Sequence, residues 1–102
     1  MGSGDYSMSM MNVKFYATLR DIVGGASVEV DLEQGSSAQQ LIELIVVEHP
    51  ALEAVLLDES GRLHEYLKMF INGREVIYLE GRFQHVLEPT DTVDIFPPVG
   101  GG

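Results

Sequence analysis

The sequence predicts a single α+β domain in which a mixed sheet of about five strands wraps around one main helix. Its 102 residues, 45% hydrophobic and 22% charged, have the size and balance of one small globular domain. Five segments alternate apolar and polar residues as strands do, and one segment has the period of an amphipathic helix. The helical segment follows the second strand, which favours one sheet folded over one helix.

The first two predicted strands form a hairpin. The segment Val13–Leu19 alternates, and Gly24-Gly25 interrupts the chain after it. The segment Val28–Leu32 then alternates again until Gln34-Gly35 ends it. On the first strand one face carries Val13, Phe15, Ala17 and Leu19, and the other face carries Lys14, Tyr16 and Thr18.

The main helix is predicted from about Ala38 to Glu48. Ser37 and Gln40 have the spacing of a capping box, in which each side chain bonds to the other residue's backbone N–H. Pro50 disfavours helical geometry at His49 and opens a second short turn, Ala51–Leu57. The residues expected to face the core are Leu41, Leu44 and Ile45, with Val47 as a further candidate.

The last three strands complete the order typical of a β-grasp fold. Tyr66–Ile71 alternates into Asn72-Gly73, a strong hairpin signal, and Arg74–Ile77 returns. Tyr78–Gly81 is predicted as a short helical turn, and Thr92–Phe96 as the fifth strand. We expect the first and fifth strands to lie parallel at the centre of the sheet, because a long connection across the helix joins them.

Charge and composition exclude several classes of function. The formal net charge is −10, and the six Lys and Arg residues are spread singly, so no phosphate-binding surface for nucleic acid is expected. No apolar run approaches the length of a membrane span, and the first ten residues lack the features of a secretory signal. The chain has no cysteine, which suits a reducing compartment, and we expect a cytoplasmic protein.

Three segments of the chain are predicted to differ in order. Residues 1–10 have the composition of an expression scar or disordered tail. Residues 11–99 form the β-grasp domain, and residues 100–102 form a flexible glycine tail.

The C-terminus carries the main functional signal. Gly100–Gly102 lacks any Cβ atom, so this segment fits a narrow slot in which another enzyme's backbone and a nucleotide approach the terminal carboxylate. Pro97 and Pro98 stiffen the exit from the last strand and direct the tail away from the sheet. The alternative is a frayed end or a cloning remnant.

The C-terminal segment Phe96–Gly102 (FPPVGGG) resembles the end of the MoaD/ThiS sulfur carriers, above all the small subunit of molybdopterin synthase. That subunit ends in an aromatic residue, two prolines, a small spacer and two glycines. Val13–Gly24 (VKFYATLRDIVG) resembles the family's first strand and turn, and Tyr66–Glu80 (YLKMFINGREVIYLE) resembles its second hairpin. The resemblance covers the chain except its N-terminal segment.

The resemblance implies a carrier that is not an enzyme on its own. An E1-like adenylating enzyme would use MgATP to convert the Gly102 carboxylate to an acyl-adenylate, and a sulfur donor such as a cysteine desulfurase would yield the thiocarboxylate. The large subunit of molybdopterin synthase would then accept the tail, with Gly100 and Gly101 inside its active site. The carrier itself binds no cofactor or metal, and we expect no catalytic side chain in it.

The alternation of the strands predicts an exposed aromatic patch. If Val13, Met69 and Ile95 face the helix, then Tyr16, Phe70 and Phe96 point out from the opposite face, close to Pro97 and Pro98. An exposed apolar patch of this kind marks a partner-binding surface. The alternative for Phe70 is packing under the Leu79–Phe83 connection.

Other functional interpretations stay open or are weak. Gly100 stands where Ala, Ser or Thr is usual in the family, and Leu63–Gly81 is similar to carriers of other pathways, such as thiamine, cysteine or tRNA thiolation. A ubiquitin-like modifier joined through Gly102 to a target lysine is the second hypothesis, and an interaction module with an incidental glycine tail is the third. Two further sets are interpreted as solvated side chains, the histidines His49, His64 and His85 and the acids Glu43, Glu48 and Glu53.

Overall fold

The computed structural model describes residues 8–98, in which a five-stranded mixed sheet packs on one main helix. The strand order is β2-β1-β5-β3-β4, and β1 and β5 run parallel at the centre while the other neighbouring pairs are antiparallel. The predicted α+β class and the central parallel pair are confirmed. The elements are β1 (Met8–Phe15), α1 (Thr18–Val23), β2 (Ser27–Glu33), α2 (Ala38–Glu48), α3 (Glu53–Leu56), β3 (Lys68–Ile71), β4 (Arg74–Glu75) and β5 (Val93–Phe96), with 3-10 helices at Pro50–Leu52, Val76–Tyr78 and Arg82–Gln84.

One face of the sheet is buried and the other is open. Strand residues alternate between the two faces, so every second side chain points into the core. The buried set from the three central strands is Met11, Val13, Phe15, Met69, Ile71, Val93 and Ile95. This packing places Tyr16, Phe70 and Phe96 on the open side of the sheet, as the alternation predicts.

Helix α2 covers the buried face, and its start follows the sequence signal. Ser37 Oγ accepts a hydrogen bond from the Gln40 N–H at 3.2 Å, and Gln40 Oε1 accepts one from the Ser37 N–H at 2.8 Å. The capping box and both predicted helix bounds are therefore confirmed. Among the core residues of α2 the expectation was wrong at Val47, which is 74% exposed, and it omitted Ile42, which is fully buried.

The N-terminal part of the sheet differs from the prediction in two ways. Strand β1 begins at Met8 and pairs with β2 from there, so three residues assigned to the tail belong to the sheet. The strand ends at Phe15 rather than Leu19, since Ala17 has φ 54° and the chain turns into α1. Leu19 lies in α1 and is buried in the core. Ala17 is exposed and does not face α2.

The second hairpin is shorter than predicted. Strands β3 and β4 meet at Asn72-Gly73, where both residues have positive φ as a type I′ turn requires. The return strand ends at Glu75, and Val76–Tyr78 forms a 3-10 helix instead of continuing the predicted strand to Ile77. In this 3-10 helix Val76 is buried, whereas Ile77 and Tyr78 are exposed.

Two of the predicted segments fall largely outside the described residues. Residues 1–7 hold most of the predicted N-terminal tail, and residues 99–102 hold the whole glycine tail. Between them, in residues 8–98, no helix has the length and apolar character that crossing a membrane requires.

Candidate docking site

A shallow apolar groove lies on the open face of the sheet, at the end where β1 and β5 finish. Its volume is about 380 Å³. Because β1 and β5 are parallel, the end of β5 lies beside the last residues of β1, and the antiparallel strand β3 completes the floor. The residues that line the groove are Tyr16, Lys68, Phe70, Gly73, Asp94, Phe96 and Pro97.

Three aromatic rings form the floor of this groove. The rings of Tyr16 and Phe96 stack with centroids 4.1 Å apart and planes 9° apart. Phe70 meets Phe96 edge-on at 5.4 Å with an interplanar angle of 81°. All three side chains are only half-buried, so apolar ring surface remains open to solvent. The structure thus brings together the three aromatic residues that the sequence placed on one face, and Phe70 lies in the groove.

A partly buried hydrogen bond on the open face fixes the orientation of the Tyr16 ring. The Tyr16 hydroxyl donates a hydrogen bond of 2.8 Å to Asp94 Oδ1. This bond, together with partial burial and the negative charge of Asp94, raises the pKa of Tyr16. Asp94 lies between Lys14 of β1 and Phe70 of β3 in the sheet register. The groove therefore combines an apolar floor with one carboxylate held in a defined orientation.

Sequence reasoning missed two charged residues of the groove. Lys68 and Asp94 alternate with buried residues in the same way as Phe70 and Phe96, so the parity of the strands contained this information. The Lys68 ammonium lies 3.8 Å from Glu75 Oε2, a partly exposed pair that contributes little to stability.

The two prolines after β5 differ in their placement. Pro97 is half-buried and lines the groove, whereas Pro98 is exposed and is not among the lining residues. The described residues end at Pro98, so the groove lies beside the C-terminal end of the described part of the chain. Gly100, Gly101 and Gly102, the predicted reactive tail, lie outside the described residues.

A larger depression of about 630 Å³ lies on the other side of the molecule, between α2 and the loop at residues 58–62. Its polar groups bond to one another. Asp58 Oδ1 accepts hydrogen bonds from the Ser60 hydroxyl, from the Ser60 N–H and from the Arg62 N–H, and these bonds lower the pKa of Asp58. Gln39 Nε2 donates to Glu43 and to the Gly61 carbonyl. These contacts stabilise the loop and leave the apolar groove as the better candidate for binding.

Across residues 8–98 no group of three or more His, Asp or Glu side chains is arranged to hold a metal ion. His64 instead stacks on Tyr66, with ring centroids 4.7 Å apart.

The strand order, the helix on one face and the aromatic groove on the other define a ubiquitin-like β-grasp protein. More particularly, the chain belongs to the ThiS family, whose model matches residues 13–102. The matched region includes β1 from Val13 onward, the other four strands, the groove and the terminal glycines. The members of this group are small sulfur carriers and protein modifiers rather than catalysts.

Individual relatives agree with this assignment. Small archaeal modifier protein 3 of Haloferax volcanii is 30% identical over 92 residues, which cover 90% of this chain and 98% of that protein. The crystal structure of SAMP1 from the same organism has a TM-score of 0.82 and 26% identity, and the match covers 92% of this chain and 100% of that chain. A chain of the Amycolatopsis orientalis BexX/CysO complex has a TM-score of 0.74 and 28% identity over 90% of this chain and 99% of that one.

Proposed function

We propose that this chain is a sulfur carrier whose Gly102 carboxylate is activated by a partner enzyme. A carboxylate is a poor electrophile because attack adds negative charge to an anionic group. An E1-like enzyme with MgATP overcomes this by forming an acyl-adenylate at Gly102 and releasing pyrophosphate. The outer sulfur of a donor persulfide, such as that of a cysteine desulfurase, then attacks the acyl carbon and displaces AMP. A second thiol reduces the resulting acyl disulfide, which releases the thiocarboxylate and leaves a disulfide on the donor. The observation that carries the proposal is the terminal Gly100–Gly102 sequence in a chain of the ThiS family; in the sequence this segment follows the groove residues Phe96 and Pro97 after Pro98 and Val99.

The groove gives the carrier a way to hold its partner while the tail reacts. The half-buried rings of Tyr16, Phe70 and Phe96 supply apolar area that a partner side chain can cover. Pro97 lines the groove and Pro98 follows it, so a partner seated there lies beside the start of the tail. Exposed apolar surface near a reactive terminus is what a carrier that visits several enzymes needs.

The acceptor that we propose for the sulfur is a pterin precursor bound to the large subunit of molybdopterin synthase. The terminal sequence FPPVGGG supports this choice, because it is similar to the end of the small subunit of that enzyme. In this arrangement the carrier supplies the sulfur atom, and the large subunit supplies the acid–base groups around it. Such a carrier acts where its activating enzyme and sulfur donor are found, which for these partners is the cytoplasm.

Intact-mass measurement tests the carrier chemistry directly. The protein is incubated with MgATP, the E1-like enzyme of its own organism and a cysteine desulfurase with cysteine, beside a control chain that lacks Gly102. We expect a mass gain of one sulfur-for-oxygen exchange at the C-terminus of the full chain only. If the full chain gains no sulfur while the same enzymes load another carrier, the proposal fails.

A second candidate function is protein modification through the same activated terminus. The relatives named small archaeal modifier proteins, at 30% and 28% identity, favour it. An isopeptide bond between Gly102 and a target lysine would use the same acyl-adenylate. Tagged chain expressed in its own cells separates the two functions: a ladder of covalent conjugates that disappears with Gly102 indicates modification, whereas loss of molybdopterin on deletion indicates sulfur transfer.

A further inference from the structure

The turn between β3 and β4 carries an asparagine followed by a glycine, Asn72-Gly73. Glycine has no side chain to shield its backbone nitrogen, so this nitrogen can approach the side-chain carbonyl carbon of the preceding asparagine. Both residues are exposed, so water reaches them. The other asparagine of the chain, Asn12 in β1, precedes Val13, whose branched side chain hinders the same approach.

The reaction open to this pair is deamidation, which needs water and no other reactant. The Gly73 backbone nitrogen loses its proton and attacks Cγ of Asn72, and the bond from Cγ to Nδ2 breaks. Nδ2 takes up a proton and leaves as ammonia, and a five-membered succinimide ring remains. Water then opens the ring at either carbonyl. Opening at Cγ gives aspartate, whereas opening at the backbone carbonyl gives isoaspartate, in which the main chain runs through the former side chain.

The folded turn holds the Asn72 side chain at both of its polar ends. Its Nδ2 donates a hydrogen bond to Asp91 Oδ1, and its Oδ1 accepts one from the Thr92 N–H. The Asn72 N–H also donates to the Thr92 carbonyl at 2.9 Å. Ring closure requires rotation about the Cα–C and Cα–Cβ bonds of Asn72, and the turn and the side-chain bonds fix both rotations. Deamidation therefore requires the turn to open first.

We infer that Asn72 is a site of spontaneous deamidation, and that the bonds from its side chain to Asp91 and Thr92 slow the reaction by keeping the turn closed. The inference goes beyond the proposed function and does not depend on it, because the reaction needs no partner enzyme and does not involve the C-terminus.

The products change the hairpin beside the groove. Aspartate at position 72 places a carboxylate where Nδ2 donated to Asp91, so repulsion between two charges replaces a hydrogen bond. Isoaspartate adds one carbon to the main chain of a two-residue turn, while the return strand that this turn aligns has only two residues, Arg74 and Glu75. Gly73 lines the groove, so a change in the turn alters the groove there.

Peptide mapping of the incubated full chain tests the site. One sample is kept folded and one is unfolded in guanidinium chloride, both at mildly alkaline pH, and isoaspartate is counted by enzymatic methylation. We expect the new acid at residue 72 and not at Asn12. The rate should be on the order of tenfold or more higher in the unfolded sample, because only the open turn reacts.

Three variants separate opening of the turn from unfolding of the whole domain. Asp91→Ala removes the acceptor of Nδ2, and Asp31→Ala removes an exposed carboxylate of β2 as the control of equal charge. Ile45→Val lowers global stability from a fully buried position in α2, away from the turn. We expect deamidation about fivefold faster in Asp91→Ala and within about twofold of the wild type in the other two. Thermal unfolding verifies that all three are folded during the incubation.

The consequence for the hairpin is measured on aged protein. The deamidated fraction is separated by charge, and its unfolding temperature should lie below that of fresh protein, as should that of Asn72→Asp. An unchanged unfolding temperature would overturn the effect on the hairpin.

The remaining outcomes decide the site and its restraint. Absence of modification at residue 72 in the unfolded chain would overturn the site. Equal rates in the folded and unfolded samples, or equal rates in Asp91→Ala and Asp31→Ala, would overturn the restraint. Acceleration by Ile45→Val as large as by Asp91→Ala would assign the reaction to global unfolding and would also overturn it.

Discussion

Phe96 is the residue on which the docking groove depends most. Its ring stacks on Tyr16 and meets the edge of Phe70, and its own face remains half-exposed. We expect Phe96→Ala to weaken binding to the E1-like enzyme by about tenfold or more, as truncation of a central aromatic anchor does. Lost aromatic contacts should lower the free energy of unfolding by about 1–2 kcal/mol. Isothermal titration calorimetry and urea denaturation measure the two effects.

Tyr78 provides a matched control for this substitution. It is an aromatic residue 73% exposed on the 3-10 helix Val76–Tyr78, and it does not line the groove. Tyr78→Ala should leave the affinity within about twofold of the wild type, which is the effect usual for a residue outside the contact. Equal affinities of the Phe96→Ala and Tyr78→Ala variants would show that the groove is not the docking site.

The hydrogen bond from Tyr16 to Asp94 predicts a tyrosine that titrates late. The bond and the nearby charge raise the pKa of Tyr16 above the value of about 10 of a free tyrosine. The contribution of this hydrogen bond to the free energy of unfolding is thus fully present below about pH 10, and it is lost as the pH rises through the pKa of Tyr16 in the folded state. Near-ultraviolet titration should show one late tyrosinate in the wild type that is absent in Tyr16→Phe.

Asp94→Asn tests the cause of that late titration. The substitution removes the negative charge beside Tyr16 and keeps an oxygen that can accept the hydrogen bond. The pKa of Tyr16 should therefore move down toward its ordinary value. A tyrosine titration identical in wild type and Asp94→Asn would contradict the assignment of the shift to Asp94.

At the scale of the elements, the Asn72 side chain links the turn of the second hairpin to the segment just before β5. Asn72 has φ 54°, a conformation that asparagine adopts more readily than alanine. Its Nδ2 donates to Asp91 Oδ1 at 2.8 Å, and its Oδ1 accepts from the Thr92 N–H at 2.9 Å.

Asn72→Ala should lower the free energy of unfolding by about 1–2 kcal/mol in urea denaturation. Asn12→Ala, at an exposed position in the middle of β1, is the control and should change it by less than about 0.5 kcal/mol. Equal effects would refute this role.

Elements with a local signal were predictable from the sequence, and elements decided by packing were not. Helix α2 begins and ends where the Ser37 capping box and Pro50 predict, because both act through bonds within a few residues. Helix α1 was missed, since Leu19 continues the strand alternation and only the turn at Ala17, with its positive φ, changes the period. The early end of β4 was missed because the Asn72-Gly73 signal marks where the return strand begins and not where it ends.

At the scale of the molecule, the candidate site depends on one long-range pairing. Strand parity predicts which side chains share the open face, and it was sufficient for Tyr16, Phe70 and Phe96. The stacking of Tyr16 on Phe96 and its hydrogen bond to Asp94 require β1 beside β5, a contact between residues nearly eighty positions apart. The pairing of β1 with β5 was predicted, but neither strand parity nor strand order gives the register between them, so the hydrogen bond from Tyr16 to Asp94 could not be predicted from the sequence.

The same topology predicts that stability and activity separate along the last residues of the chain. Ile95 is fully buried and pairs with Phe15 on one side and Met69 on the other, so it closes the centre of the sheet. A chain that ends at Asp94 loses this contact and the rest of the central strand. We expect it to show no cooperative thermal unfolding, because burial of Ile95 alone is worth about 2–5 kcal/mol.

A chain that ends at Gly100 keeps all of β5. It should unfold like the wild type in calorimetry, yet it should release no pyrophosphate with the E1-like enzyme, because the carboxylate no longer reaches the nucleotide. Full adenylation of the shorter tail would mean that the enzyme does not require Gly101 and Gly102, and a loss of stability would mean that the glycines belong to the fold rather than to the chemistry.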